Sequence, residues 1–209
     1  MALAIPDVLA RAPLIPVVTI ADAALAPPLA AALVAGGLAV IEVTLRTPAA
    51  LEAIARIAAE VPAAIVGAGT LLTPEDFGLV RAAGAAFAVS PGLTPRLAAA
   101  AADLDLPWLP GVATPTEAMA ARERGFRRLK FFPADAVGGP RTLAHLGAIL
   151  PDLVFCPTGG VSEANLGDYL RLSNVACCGA SYVATAAAIA AADWTGITAR
   201  AAIAAAARG

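Results

Sequence analysis

Residues 38–48 read "LAVIEVTLRTP", an apolar, β-branched run that ends on Thr47-Pro48. A nearly continuous apolar run of this length reads as a strand buried on both faces, as in a parallel sheet. Threonine is a good helix N-cap, and proline is tolerated at the first helical position. The stretch therefore predicts a strand, a short turn and a new helix. The same order recurs in both directions. Strand candidates lie at 14–20, 38–45, 63–69, 85–90, 107–111, 127–132, 153–158 and 174–181. Helical stretches lie between and after them, at 22–36, 48–60, 74–83, 95–103, 115–124, 140–150, 162–171 and 193–207. Eight such units in 209 residues predict an α/β protein, a compact (β/α)₈ TIM barrel in one domain spanning 1–209. A doubly wound open sheet is the structural alternative.

The punctuation agrees with this reading. Thr73-Pro74, Thr94-Pro95 and Thr114-Pro115 repeat the strand-to-helix signal, and Thr114 with Glu117 fits a capping box. Ser162 is the expected cap of the following helix. The glycines of "VAGGLA" (34–39) and "GAILP" (147–151) read as helix C-terminal turns.

Composition narrows the function classes. The hydrophobic fraction is 59%, but most of it is alanine, and no window supplies the strongly apolar run that a membrane helix needs. The beginning, "MALAIPDVLARAP", lacks a basic leader and carries Asp7, so no signal peptide is expected. The formal net charge is −2, and the one basic cluster (Arg122, Arg124, Arg127, Arg128) has no interleaved aromatics. It reads as a solvated surface, and no nucleic-acid or membrane partner is expected. Cys156, Cys177 and Cys178 read as buried thiols of a cytoplasmic protein. The single histidine, His145, lies in a helical pattern and reads as a surface residue. A metal site built on several histidines is excluded, and no metal or cofactor is expected.

The chain has thirteen arginines and one lysine, Lys130, in "RRLKFFPAD" (127–135). Side chains alternate along a strand, so Val40, Glu42, Thr44 and Arg46 share one face, as do Arg128, Lys130 and Phe132. If both faces point inward, the lone lysine meets a buried glutamate near the strand ends, with Arg46 at the mouth. One reading is a structural ion pair, although desolvation largely offsets the gain from such pairs. The other is chemical. An amine can lose its proton where a guanidinium does not. Apolar neighbours, here Phe131 and Phe132, and a nearby cation, here Arg46, favour the uncharged form. A neutral amine attacks a ketone, and the resulting protonated imine is an electron sink.

Glycines mark the rest of the candidate site. "CPTGGVSEAN" puts Gly159 and Gly160 just past a strand, and "CCGASYV" does the same for Gly179, Ala180 and Ser181. Adjacent strand-to-helix turns of this kind bind phosphate through backbone N–H groups, commonly after the last two strands of a barrel. "GAGT" (67–70) brings Thr70 to the mouth, where it can form a carboxylate clamp with Arg46. A tight turn alone is the alternative there.

Together the motifs "EVTLRT" (42–47), "GAGT", "SPG" (90–92), "PGVATPTE" (110–117), "LKFFPA" (129–134) and "CPTGG" (156–160) resemble the 2-keto-3-deoxy-6-phosphogluconate (KDPG) and 4-hydroxy-2-oxoglutarate (KHG) aldolase family. The resemblance runs from about Leu14 to Ser181. It implies a class I aldolase, typically a homotrimer, that cleaves KDPG to pyruvate and glyceraldehyde 3-phosphate late in the Entner–Doudoroff pathway. It assigns Lys130 as the imine-forming residue and Glu42 as the acid/base. Arg46 and Thr70 match the carboxylate site, Gly159, Gly160 and Ser181 the phosphate site, and Thr158 and Phe132 the pocket wall. Ala180 departs from the family pattern, which usually has glycine there, and its methyl is expected to crowd the phosphate turn. Alternatives are a main activity on the 6-phosphogalactonate epimer or on 4-hydroxy-2-oxoglutarate, an isomerase using Glu42 without an imine, and a non-catalytic phosphate-binding barrel or assembly subunit.

Overall fold

A computed structural model describes residues 3–102 and 104–207. In chain order the elements are α1 (Ile5–Ala10), β1 (Leu14–Val18), α2 (Ala26–Ala35), β2 (Val40–Thr44), α3 (Ala50–Glu60), β3 (Ile65–Gly69), α4 (Pro74–Ala82), β4 (Ala88–Val89), α5 (Pro95–Ala102), β5 (Trp108–Leu109), β6 (Gly111–Val112), α6 (Pro115–Glu123), β7 (Arg128–Phe131), α7 (Gly139–Ile149), β8 (Val154–Pro157), α8 (Leu166–Leu170), β9 (Cys178–Ala180), α9 (Ala186–Ala190) and α10 (Trp194–Ala205). Single 3₁₀ turns fill 23–25, 135–137 and 182–184. All eight strand candidates and all eight helical stretches reappear, most of them shortened; β6 runs on to Val112, α7 starts at Gly139, and α1 and α9 lie outside the predicted stretches. The expected last residue of the 95–103 helix, Asp103, lies outside the described residues.

Every strand pairing is parallel, and the sheet curls. One arc has the order β5-β4-β3-β2-β1-β9 and the other β6-β7-β8. The fifth strand candidate is thus two short strands rather than one. Pro110 separates them, since proline cannot donate to a ladder. Its carbonyl still accepts from the Lys130 N–H at 2.9 Å. At the other junction, bridges Phe155↔Val175 and Thr158↔Gly179 tie β8 to the segment ending in β9.

Two apolar clusters lie on opposite faces of the sheet. The larger one takes the outward side chains, among them Ile41, Val43, Leu129, Phe131 and Phe155, and packs them under the helices. The smaller one takes inward side chains from near the strand starts: Ile15, Val40, Phe87, Leu109, Cys156 and Cys177. Helix α1 completes it with Ile5, Val8 and Leu9, whose i, i+3, i+4 spacing gives one apolar face. The N-terminal end of the sheet is therefore plugged and dry, and side chains two positions further along the same strands face the opposite end. Cys156 and Cys177 sit in this plug with their Sγ atoms 3.7 Å apart.

Local expectations divide. Thr114 caps α6 with the reciprocal Glu117 contact, and Thr94 Oγ1 accepts from the Leu97 N–H at 3.2 Å. At Thr73 the reciprocal part is made by Asp76, which accepts from the Thr73 N–H at 2.9 Å. Thr47 is no cap: α3 starts at Ala50, and the Thr47 hydroxyl instead donates to the carbonyl of Ile20 on the neighbouring strand connection. Ser162 is no cap either, because α8 begins only after Asn165, whose carboxamide accepts from the Ser162 N–H at 2.8 Å and donates to the Gly160 carbonyl at 2.9 Å. Gly37 ends α2 at φ +88°, as the glycine turn requires. Gly147 lies inside α7 rather than at its end, and a side chain there would press on Asn174. His145 is exposed on α7. Arg122 and Arg127 converge on Asp152, and the Arg122 hydrogen bond holds that carboxyl below its usual range. Among the described residues, no helix is long and apolar enough to cross a membrane.

Candidate active site

The inward row of β2 carries Val40, Glu42 and Thr44, and that of β7 carries Arg128 and Lys130. Val40 is spent on the plug. The next layer holds the charged pair: Lys130 Nζ donates to Glu42 Oε1 at 3.0 Å across 88 positions of sequence. Both are buried, at 5% and 4% exposure. Two charged groups leave water for this contact, so the pair is held by the fold around it rather than being a source of stability.

Glycines make room for the pair. A Cβ at Gly69, beside Thr44 on β3, would overlap the Glu42 carboxylate. A Cβ at Gly67, opposite Glu42, would strike the Phe87 ring. A Cβ at Gly111, opposite Lys130, would strike the Pro91 carbonyl, and one at Gly179 would strike Thr158 Oγ1. The layer above the plug is therefore open because four inward positions lack side chains. "GAGT" supplies two of them, a reason for that motif beyond a tight turn.

Phe131 does not flank the amine. It lies in the outer cluster against Phe155, at a ring distance of 6.2 Å. Alternation puts Phe132 on the Lys130 side instead, with Nζ 5.4 Å from its ring centroid. The immediate partner of Lys130 is Glu42, and the expected cation, Arg46, stands higher, at the mouth.

Above the pair opens a pocket of about 350 Å³. Its wall includes Arg46, Phe132, Thr158, Gly159, Gly160 and Ser181. Six of the nine anticipated site residues therefore share one cavity, and Lys130 and Glu42 form the layer beneath it. Arg46 is exposed and makes no ion pair among the described residues. Gly159 and Gly160 both take left-handed backbone, at φ +93° and +79°. A Cβ at Gly160 would also overlap Asp135, so this turn demands glycine on two counts. Its position is set by the segment after β7: the Ala134 and Asp135 N–H groups donate to the Thr158 and Gly159 carbonyls at 2.8 and 3.0 Å. Ala180 packs in the outer cluster and also lines the pocket, next to Ser181.

Thr70, the ninth residue, lies just past β3 at the same end and does not line this cavity. Its φ of +67° is unusual for a β-branched residue and sets the side chain's direction at a local cost. Sequence reasoning missed several lining residues, two of them on the first strand segment. Thr19 and Val17 of the first strand segment line the same pocket. Their signal was present in the alternation of "LIPVVTI", where Ile15, Val17 and Thr19 fall on one face.

A buried amine–carboxylate pair beneath a pocket with one unpaired guanidinium and two glycine turns fits chemistry on an anionic carbonyl compound. Comparison with known proteins agrees. The family described as KDPG and KHG aldolase matches residues 5–200. The chain belongs to that family. The 2-dehydro-3-deoxy-phosphogluconate aldolase of Pseudoalteromonas atlantica is 47% identical over 92% of this chain and 89% of its own length. The KHG/KDPG aldolase of Escherichia coli K12 is 47% identical over 92% of this chain and 90% of its own. Among solved structures, the KDPG aldolase of Legionella pneumophila, with pyruvate captured as a covalent carbinolamine intermediate, superposes with a TM-score of 0.94. It is 43% identical and the match covers 96% of this chain and 97% of that one.

Proposed function

We propose that the protein is a class I aldolase that cleaves KDPG to pyruvate and glyceraldehyde 3-phosphate through a Schiff base on Lys130. The observation that carries this reading is the buried 3.0 Å contact between the only lysine and Glu42, whose neighbours Phe132 and Val17 line the pocket. A proton passed from Nζ to Glu42 frees the amine without changing the net charge of the pair. The amine attacks C2 of the keto acid, and loss of water gives the iminium. Removal of the C4 hydroxyl proton then breaks the C3–C4 bond, the electron pair flows into the iminium as an enamine, and glyceraldehyde 3-phosphate leaves. Reprotonation at C3 and hydrolysis release pyruvate. Glu42 is the group placed to move these protons. Arg46 and Thr70 hold the carboxylate, the turns at Gly159, Gly160 and Ser181 hold the phosphate, and Thr158 and Phe132 line the space between. No cofactor or metal has a part in this scheme.

Borohydride added with pyruvate tests the reading. The expected result is one irreversibly added pyruvyl group, seen in the intact mass and mapped to Lys130. An unmodified protein would remove the Schiff-base mechanism. A second activity on 4-hydroxy-2-oxoglutarate is favoured by the similarity to the KHG/KDPG aldolase of Escherichia coli, and comparison of kcat/KM for the two substrates decides which is the main one.

The same reading includes a complete (β/α)₈ barrel in one domain over 1–209, supported by the Pro110 junction and the two bridges that tie β8 to the segment ending in β9. It also includes a homotrimer in the cytoplasm. The trimer rests on the family resemblance and on exposed apolar side chains such as Leu72 and Leu79. Light scattering after size exclusion is expected to give three times the chain mass of 20.7 kDa, and a monomer mass would reject the trimer.

A further inference from the structure

Thr19 stands in the pocket wall with a hydroxyl whose hydrogen is already committed. Its Oγ1 lies 2.9 Å from Thr44 Oγ1. Thr44, 1% exposed, lies 3.1 Å from the Val18 carbonyl. A carbonyl only accepts, so Thr44 must give its hydrogen to Val18. A hydroxyl has one hydrogen, so the contact between the two threonines is made with the hydrogen of Thr19. Thr19 Oγ1 therefore meets the pocket with lone pairs only and recognises a donor.

Its place in the sheet says which donor. The register Val17↔Glu42 and Val18↔Val43 sets Thr19 beside Thr44, one inward layer above Glu42. On its other side, Ile15↔Gly179 and Pro16↔Ala180 bring this strand up to the Ser181 turn. Thr19 thus lies between the carboxylate that serves the breaking bond and the turn that takes the phosphate. In KDPG the bond breaks at C4 and the phosphate is on C6, which leaves the C5 hydroxyl between them. We propose that Thr19 Oγ1 accepts a hydrogen bond from the C5 hydroxyl of the substrate, which makes Thr19 a specificity-determining residue. This assignment rests on the Schiff-base reading above.

The test uses KDPG and its 5-deoxy analogue with the unmodified protein, Thr19→Val and Thr19→Ser. Solvent exchange of the pyruvate C3 hydrogens serves as a readout that needs no C5. The unmodified protein is expected to prefer KDPG by ~10–100-fold in kcat/KM, the effect of one unmade hydrogen bond at a half-buried acceptor. Thr19→Val brings that preference close to unity by slowing KDPG alone, and Thr19→Ser restores it. Pyruvate exchange is the same in all three. Full discrimination retained by Thr19→Val would overturn the assignment, as would a parallel loss of pyruvate exchange, which marks a purely structural role. Absence of a pyruvate adduct in the unmodified protein is a separate outcome that removes the Schiff-base reading and this assignment together.

Discussion

Lys130→Met is expected to lower aldol cleavage of KDPG by at least ~10⁴-fold and to abolish pyruvate trapping, because the covalent route loses its nucleophile. Methionine keeps the length of the side chain and its apolar stem, so the fold persists. Stability still falls. Glu42 loses the partner that lies 3.0 Å away and stays buried, a situation worth roughly 3–5 kcal/mol when one member of a buried pair is removed. Lys130→Met with Glu42→Gln is expected to recover most of that stability and none of the activity, since replacing both members leaves no uncompensated charge. Denaturant melts and a coupled assay for pyruvate separate the two effects. Cleavage retained by Lys130→Met within tenfold would exclude the mechanism, and a double variant no more stable than the single one would show that the pair is not the source of the cost. Lys130→Arg is also expected to be inactive, since guanidinium does not supply the neutral nitrogen.

Glu42→Gln alone comes second in size. The amide preserves shape and can still accept from Nζ, but it cannot take up a proton. A loss of ~10²–10⁴-fold in kcat is expected, with KM changed little. Pyruvate still adds to Lys130 under borohydride, only more slowly, while exchange of its C3 hydrogens with solvent falls with the cleavage rate. Cleavage within tenfold of the unmodified rate would move the proton transfer to another group. Gly69→Ala approaches the same carboxylate from the other side, because its Cβ would overlap Oε1. Displacing Glu42 by about an ångström is expected to cost ~10²-fold with its chemistry intact.

Helix and strand order was legible because each level of signal agreed with the next. Apolar runs such as "LAVIEVTL" are too short for helices and too continuous for a half-exposed sheet, and Thr-Pro pairs mark the joints. Where a single residue had to decide, local signals failed. Thr47 looked like Thr114, yet its hydroxyl is claimed by the Ile20 carbonyl, a partner 27 positions away. Ser162 looked like a cap, but Asn165 reaches back to Gly160 and ties the turn first. Pro110 splits its strand for a reason visible in the sequence, its missing donor. Helix α1 left a signal too, in the spacing of Ile5, Val8 and Leu9, but nothing local says that it plugs a sheet end.

The sequence by itself determined the chemistry on offer. One lysine, one histidine and strand alternation were enough to put Glu42 on one face with Thr44 and Arg46, Lys130 on one face with Phe132, and to exclude a metal site built on several histidines, because those statements depend on residue type and period alone. The tertiary structure decided which groups meet. It brought Nζ within 3.0 Å of Glu42, turned Phe131 away, left Arg46 without an ion pair among the described residues and set Thr19 in the pocket wall beside Thr44. Contacts between strands far apart in sequence follow from register and sheet curvature, and both are set by the packing of the whole chain rather than by any stretch of it.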